Sequence, residues 1–221
     1  MPARTDHDQR RRHIARIAAD LVATGGLAAA THRRIAEASG ASTTVVSHYF
    51  TDKHDLVTTT YTEVGDRVTA RLQTAADSTD PLPSTLEALL PLDEDRIRDW
   101  RLLFTFLGPA ATDPELTAQQ RSRATAARTR IEHAITTEQR AGRLRTDIDA
   151  DATARLLLAV VLGIGMQALF DPAEWPQGHI RDTVHNALAG LRPSNPAGEK
   201  RRRANGPASS RASNPRPSNR S

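Results

Sequence analysis

The sequence of 221 residues predicts an all-α protein with a short N-terminal helix-turn-helix unit and a larger helical body. Apolar residues recur three and four positions apart along most of the chain, which places them on one face of successive helices. Residues that cap helices precede these segments, and glycine or proline follows several of them. The alternation of apolar and polar residues that is typical of strands does not recur.

Four helices are predicted in the N-terminal third of the chain. Apolar residues at helical spacing predict the first, and Ser, Thr or Asp at the N-cap predicts where each of the others begins. Glycine ends two of them because it readily adopts the left-handed conformation. The predicted spans are 9–24, ended by Gly25-Gly26; 32–38, capped by Thr31 and ended by Gly40; 43–49, capped by Ser42; and Asp52 to about Ala76.

A break and five further helices are predicted beyond this point. DSTDPLPS, residues 77–84, is dense in turn-forming residues. Asp113-Pro114-Glu115 has the order of cap, proline and acid that favours a helix start. The remaining predicted spans are about 84–90, 94–107, 114–141, 150–170 and 178–191.

The composition limits the possible classes of protein. The absence of cysteine excludes disulfides, thiolate metal sites and cysteine nucleophiles. No secretory signal is visible, and the longest apolar run, residues 156–166, is shorter than the roughly 20 residues that cross a bilayer. We therefore expect a soluble, cytoplasmic protein without a membrane partner. Residues 193–221 hold 7 Lys/Arg and 1 Asp/Glu, a charge of +6, so the net charge of +4 comes from the tail and the rest of the chain is slightly acidic.

The segment THRRIAEASGASTTVVSHYF, residues 31–50, has the pattern of a helix-turn-helix. Ala36 is small enough for the second helix to cross the first, and Gly40 suits the turn. Val45 and Val46 would anchor the second helix. A helix of this size fits the major groove of DNA. Its outward side chains, candidates for base contact, are Thr43, Thr44, Ser47 and His48.

Candidate phosphate-binding residues surround this helix. They offer hydroxyl groups, positive charge and helix N-termini, all of which bind phosphate. These residues are Thr31, Arg33, Arg34, Tyr49 and Lys53. Double-stranded DNA is therefore the predicted partner, although the two arginines could also form an ordinary solvated face.

Residues 10–57 resemble the N-terminal domain of the TetR family of bacterial transcriptional regulators. The matching features are IARIAADLVATGGLAAATHRRIAEASGAS, then HYF, then DKHDLV. VVSHYFTDKHDL is most similar to the BetI-type branch, where Ser often occupies the position of Ser47. Ala41 and Thr44 depart from the Val and Gly that are more usual in the family.

The body is also similar to the BetI-type C-terminal domain, from WRLLFTFLG through AGRLRTDIDADATARLLLAVVLGIGMQALFD. The resemblance implies an all-helical homodimer that represses transcription and is released by a small-molecule effector. The predicted domains are then 1–56, the helix-turn-helix DNA-binding domain; 57–192, the effector-binding and dimerisation domain, with a connecting helix at about 53–76; and 193–221, a disordered basic tail.

Candidate effector contacts lie on two body helices. Trp100, Phe104 and Leu107 share one helix face with Leu103 beside them, and Met166 and Phe170 could join them. These side chains are either ordinary core or the wall of a ligand cavity, and the resemblance places the effector pocket among these helices.

The helix at 150–170 is apolar nearly all round, so one neighbour cannot bury it. A core on one side and a partner subunit on the other would do so, with Gly163 and Gly165 allowing close approach. The apolar positions of 178–191 would add a second helix to this homodimer interface. A helix buried entirely within one subunit is the alternative.

Other motifs have weaker interpretations. His48 and His54 lack a third ligand, so no metal site or cofactor is predicted. HDQRRRH, residues 7–13, could be a minor-groove arm or a solvated helix start. Asp93-Glu94-Asp95 suits a helix N-terminus better than catalysis. KRRR, residues 200–203, could attract DNA or simply improve solubility.

The sequence thus predicts a ligand-responsive repressor that reads a palindromic operator as a dimer, and no catalytic residue is predicted. A nonspecific nucleic-acid-binding or scaffold protein and an all-helical enzyme are the alternatives.

Overall fold

The computed structural model describes residues 2–193, except for the side chains of residues 2–6, 8 and 53. The predicted disordered tail, 193–221, lies outside this range apart from Pro193. Within the range every regular element is an α-helix, so the predicted all-α fold is confirmed. The helices are α1 (Pro2–Gly25), α2 (His32–Ser39), α3 (Thr43–Tyr49), α4 (Lys53–Ala76), α5 (Pro81–Leu89), α6 (Glu94–Thr112), α7 (Pro114–Arg140), α8 (Ala150–Phe170) and α9 (Gln177–Ala189).

Predicted helix caps are confirmed by their hydrogen bonds. The Thr31 hydroxyl accepts from the backbone N–H of Arg34 at 3.3 Å, which caps α2. At the other end of α2, Gly40 has φ 66° and its N–H donates to the Ala36 carbonyl. Further N-caps with side-chain hydrogen bonds are Ser42, Asp52, Asp93, Asp113 and Asp149. Local sequence therefore sets most helix boundaries.

Three predicted boundaries are wrong by three residues or more. α1 begins at Pro2, so residues 7–13 belong to a helix. α5 begins at Pro81, because the first turn of a helix needs no backbone N–H donor and so tolerates proline. α6 continues through Pro109 to Thr112, since a proline so close to the C-terminus removes one hydrogen bond without ending the packed helix.

The core has an N-terminal part and a body part, joined by α1 and α4. The middle of α1, residues 14–18, packs with α2 and α3 around Ile35, Val46 and Phe50, which are fully buried. The C-terminal end of α1, residues 19–23, packs against α4 and α6, where Tyr61 and Phe106 are buried. α5, α7, α8 and α9 enclose the body core. The predicted boundary between residues 56 and 57 remains a prediction, because α4 runs across it.

An apolar stripe remains exposed on α8. Within the described range, α8 alone is long and apolar enough to cross a membrane by length and composition, and core helices of soluble proteins share these properties. Leu157, Val161 and Ile164 face the body core. The opposite side, called the α8 stripe below, consists of Leu156, Ala159, Leu162, Gly163, Met166 and Phe170.

The two α8 glycines differ in what they contact. A Cβ at Gly165 would lie 2.2 Å from the Trp100 ring, so this glycine makes room for a tryptophan of the same chain. Gly163 has open space beside it. On α9, Ile180, Val184 and Leu188 are buried in the body core. These apolar positions, predicted to join the homodimer interface, therefore pack within the subunit instead. A partner subunit could therefore approach the backbone closely at Gly163, as predicted. At Gly165 this space is already filled by Trp100 of the same chain.

Candidate nucleic-acid interface and ligand cavity

The helix-turn-helix predicted from residues 31–50 forms from α2, a turn at Gly40 and α3. α3 buries only Val46 completely, and Phe50 lies fully buried just after it. Val45 and Tyr49 are half-buried and pack on the same cluster. The other side of α3 is exposed, although its His48 and Tyr49 rings lie 6.0 Å and 4.7 Å from the ring of His7 on α1.

The predicted DNA-contacting residues share this outer surface, called the polar face below. Thr43, Thr44, Ser47 and His48 are exposed on α3. Thr31, Arg33 and Arg34 are exposed at the start of α2, and Lys53 is the first residue of α4. The polar face is thus Thr31, Arg33, Arg34, Thr43, Thr44, Ser47, His48 and Tyr49. The backbone of Lys53 follows at the start of α4. The polar face combines exposed hydroxyl groups with positive charge near two helix N-termini.

Contacts within the polar face fix several of its side chains. The Ser47 hydroxyl lies 3.3 Å from Nδ1 of His32, which links α3 to α2. The Arg33 guanidinium lies 3.6 Å from the Glu37 carboxylate, one turn along α2. The ring of His48 lies 5.7 Å from that of Tyr49. Thr43 and Thr44 are exposed beside these contacts.

The start of α4 is held by an ion pair with α1. Asp52 caps the helix by accepting from the N–H of Asp55 at 2.8 Å. Arg11 of α1 donates to Asp55 at 3.0 Å and to Thr59 at 3.1 Å. Arg11 therefore orients the end of α4 that carries Lys53. No local pattern predicts this role, because the partners are 44 residues apart.

His54 links α4 to the start of α7. Its Nε2 lies 3.0 Å from Glu115 and its Nδ1 lies 3.3 Å from Asp113. The hydrogen bond with Glu115, and then the charge of Asp113, raise the pKa of His54 above its ordinary value. From the sequence, His54 could be a solvated side chain. In the structure it is half-exposed and paired with Glu115 and Asp113. Within residues 2–193, no three His, Asp or Glu side chains are grouped to hold a metal ion.

A cavity of about 370 Å³ lies among α4, α6, α7 and α8. Its volume falls within the range of small-molecule sites, roughly 300–1,000 Å³. Trp100, Leu103 and Val161 form part of an apolar wall. This cavity is called the ligand cavity below.

The structure separates the predicted effector contacts. Trp100 and Leu103 line the ligand cavity. Met166 and Phe170 line a second cavity of about 410 Å³ where α8 turns into α9. Phe104 contacts Phe170 with ring centroids 5.4 Å apart, and Leu107 is exposed. The assignment of these six residues to an effector stays a prediction.

Sequence reasoning missed Arg123 and Tyr61. The Arg123 guanidinium lies 3.7 Å above the Tyr61 ring, on the side of α7 that lines the ligand cavity. The Tyr61 hydroxyl donates to Gln120 of the same helix. Gly65, in the middle of a predicted helix, could have indicated this contact from the sequence. Glycine weakens the interior of a helix, so its presence there suggests that another side chain packs against the backbone.

Two family models match the chain. A model of bacterial regulatory proteins of the tetR family matches residues 14–59. A model described as the C-terminal part of BetI-type transcriptional repressors matches residues 78–193, just over half of the chain. The two matches cover both the helix-turn-helix and the helices around the ligand cavity.

Individual proteins match over most of their length. The HTH-type transcriptional regulator PksA of Bacillus subtilis (strain 168) is 26% identical over 83% of this chain and 90% of its own. A transcriptional regulator from Rhodococcus sp. Rha1 is 27% identical, with a TM-score of 0.72 over 82% and 95% of the two chains. A putative regulator from Saccharomonospora viridis, solved in complex with choline, is 24% identical, with a TM-score of 0.74 over 85% and 100%.

Proposed function

The chain belongs to the TetR family of bacterial regulatory proteins, with a BetI-type C-terminal domain, and from this premise we propose that it represses transcription by binding a palindromic operator as a dimer. It works in the cytoplasm, where its DNA is. A small molecule that enters the ligand cavity lowers its affinity for the operator. Its family consists of transcriptional regulators, so we propose no enzymatic reaction for it.

The exposed side of α3 supports the DNA-binding part most directly. α3 presents Thr43, Thr44, Ser47 and His48 to solvent while Val46 alone is completely buried. Hydroxyl and imidazole groups can exchange hydrogen bonds with base edges in the major groove. The N-termini of α2 and α4 flank this helix, and they favour phosphate through free N–H groups and the helix dipole.

The α8 stripe supports the dimer. Leu156 and Phe170 are 62% and 74% exposed, which is unfavourable for large apolar side chains in water. A second copy of the same helix would cover the stripe, because a twofold interface uses the same patch on both subunits. Two α3 helices would then enter major grooves about 34–36 Å apart.

Contacts through α4 support coupling between the two functions. Tyr61 of α4 contacts Arg123 beside the ligand cavity and packs with Val22 of α1 in one cluster. α1 also holds α3 through the N-terminal part of the core. A ligand that moves α4 or α7 therefore changes the position of α1 and of the polar face. Such coupling typically amounts to about 1–3 kcal/mol.

Footprinting on the DNA beside the protein's own gene tests this proposal. We expect protection of a palindrome whose half-sites are about one helical turn apart. Uniform protection along the fragment would indicate a nonspecific nucleic-acid-binding protein instead. No protection of any fragment at low ionic strength would contradict the proposal.

A further inference from the structure

Two arginines of α7 line the ligand cavity without a carboxylate partner. Arg123 and Arg130 are seven residues apart, which is two helical turns, so both lie on the same face of α7. Both line the cavity, and neither forms an ion pair in the part of the chain that the structure describes. The cavity therefore contains positive charge that the protein itself does not neutralise.

The carboxylates around the cavity do not cancel this charge. Asp99 is buried, and its Oδ1 accepts from Nε of Arg67 at 3.0 Å while its Oδ2 lies 2.9 Å from Arg71. Its negative charge is thus shared by two other arginines. Asp66 also lines the cavity, and its charge acts on Arg123. Because Asp66 is exposed and forms no ion pair with Arg123 within 4 Å, water screens this attraction and Asp66 neutralises Arg123 only in part.

Arg123 is held in a slot on α4. Tyr61 and Gly65 are one turn apart on α4, and the guanidinium of Arg123 lies over the Tyr61 ring. A Cβ at Gly65 would lie 2.6 Å from Cζ of Arg123, so any other residue there would displace the guanidinium from this position. The aromatic ring and the bare backbone fix the arginine but supply no negative charge.

Burial makes this arrangement costly unless an anion joins it. Desolvation is the largest effect on Arg123 and lowers its pKa, and the contact with Tyr61 and then the charge of Asp66 offset only part of this effect. An arginine nevertheless stays charged in proteins. A partly buried cation without a partner gains most from a carboxylate, which can accept two hydrogen bonds from the planar guanidinium.

The opposite wall of the cavity is apolar. It contains Trp100, Leu103, Leu158, Val161 and Leu162. We infer that the effector is a small amphipathic carboxylate, whose anionic group binds Arg123 and whose apolar part lies against Trp100. This inference rests on the proposal that the ligand cavity is the effector site.

The same features disfavour a quaternary ammonium ligand. Such cations are bound over the faces of several aromatic rings. Trp100 is the only aromatic residue among the described residues that line the cavity. Arg123 and Arg130 would repel a cation, so the charge preference of this cavity is for anions.

Three probes with the same apolar chain test the charge preference. Octanoate, octanamide and octylammonium carry a negative, a neutral and a positive group at neutral pH. Calorimetry on the full chain should give a dissociation constant for octanoate about tenfold lower than for octanamide, with octylammonium the weakest. Equal or tighter binding of octanamide or octylammonium, or no binding of any probe, would overturn the inference.

Variants of α7 and α4 test the residue assignment. Arg123→Gln should bring the affinity for octanoate down to that for octanamide, while octanamide binding changes less than about twofold. Gly65→Ala keeps the charge but fills the slot, so it should also reduce the preference for octanoate. Arg121→Gln, an exposed arginine of the same helix, is the matched control and should retain the preference. A preference that survives Arg123→Gln excludes Arg123 as the anion receptor.

Operator binding is measured separately, without any probe. A protected palindrome together with no preference for octanoate would overturn only this inference. The absence of any specific footprint, whatever the probes show, would contradict the proposed function.

Discussion

The polar face and the α8 stripe are both exposed, yet their chemistry is opposite. α3 presents hydroxyl and imidazole groups and buries one valine completely, whereas α8 buries one apolar side and presents another. A hydrated, negatively charged duplex suits the first surface, because polar contacts to DNA can include water. A dry protein interface suits the second.

One chain can thus offer different surfaces to its two proposed partners, the operator DNA and a second copy of itself. The two surfaces lie on helices with different support: α3 has seven residues and depends on neighbours, while α8 has 21 and is itself part of the body core. A change below the polar face should therefore affect folding, and a change on the α8 stripe should affect association.

Removing the support under α3 should give the largest effect. Phe50→Ala leaves a cavity where the ring is fully buried, and we expect the free energy of unfolding to fall by about 3–5 kcal/mol. Urea unfolding, monitored by circular dichroism, measures this free energy of unfolding. Thr51→Ala, at the exposed neighbouring position, should change stability by less than about 0.5 kcal/mol. A loss under about 1 kcal/mol for Phe50→Ala would show that α3 does not depend on this core.

Charging the α8 stripe should dissociate the dimer while leaving the subunit folded. Leu156→Glu places a carboxylate in the proposed interface of both subunits, and we expect the dimer dissociation constant to rise by about 100-fold. Sedimentation equilibrium measures it, with circular dichroism to check the fold. Thr125→Glu, on exposed α7 surface, should leave the dissociation constant unchanged. A dimer that tolerates the charge must use another surface.

Substitutions on and beside the polar face should separate phosphate contact from base contact. Lys53→Ala should weaken binding to every operator sequence by a similar factor of about ten and reduce the salt slope by about 1, because one phosphate contact is lost. Thr44→Ala should instead change the preferred base at one position. Binding to a randomised operator library at several salt concentrations distinguishes the two. A loss confined to one operator variant would contradict the phosphate role of Lys53.

The contact between α4 and α7 should give the smallest effect, and it depends on pH. The pKa of His54 is raised in the folded protein, so its contribution is fully present below the unfolded pKa of about 6.5 and is lost as the pH rises through the folded pKa. Melting temperatures of the wild type and His54→Gln should therefore differ at acidic pH and converge at alkaline pH. A constant difference across this range would exclude protonation of His54 as the cause.

Local patterns were enough to predict the N-terminal unit. The caps Thr31 and Ser42, the left-handed Gly40 and the buried Val46 all act within about 20 contiguous residues. Hydrogen bonds at a cap connect residues two to four positions apart, so they can be recognised without the fold. The resemblance of residues 10–57 to the TetR family rests on these same short features, and the family matches agree with it.

The ligand cavity could not be predicted in this way. Its wall combines Leu103 of α6, Arg123 of α7 and Leu158 of α8, which come together only when the helices pack. The slot for Arg123 needs Tyr61 and Gly65 of α4, about 60 residues earlier in the chain. For the same reason, the effector contacts predicted on two helices were divided: Trp100 and Leu103 line one cavity, and Met166 and Phe170 line the other.

The sequence by itself determined the helices, their caps and the family, because helical periodicity and capping depend on residues a few positions apart. Only the tertiary structure decided which side of α8 stays exposed and which arginines of the described range line the ligand cavity without an ion pair. Those properties depend on distances between residues far apart in the chain, and packing alone sets such distances.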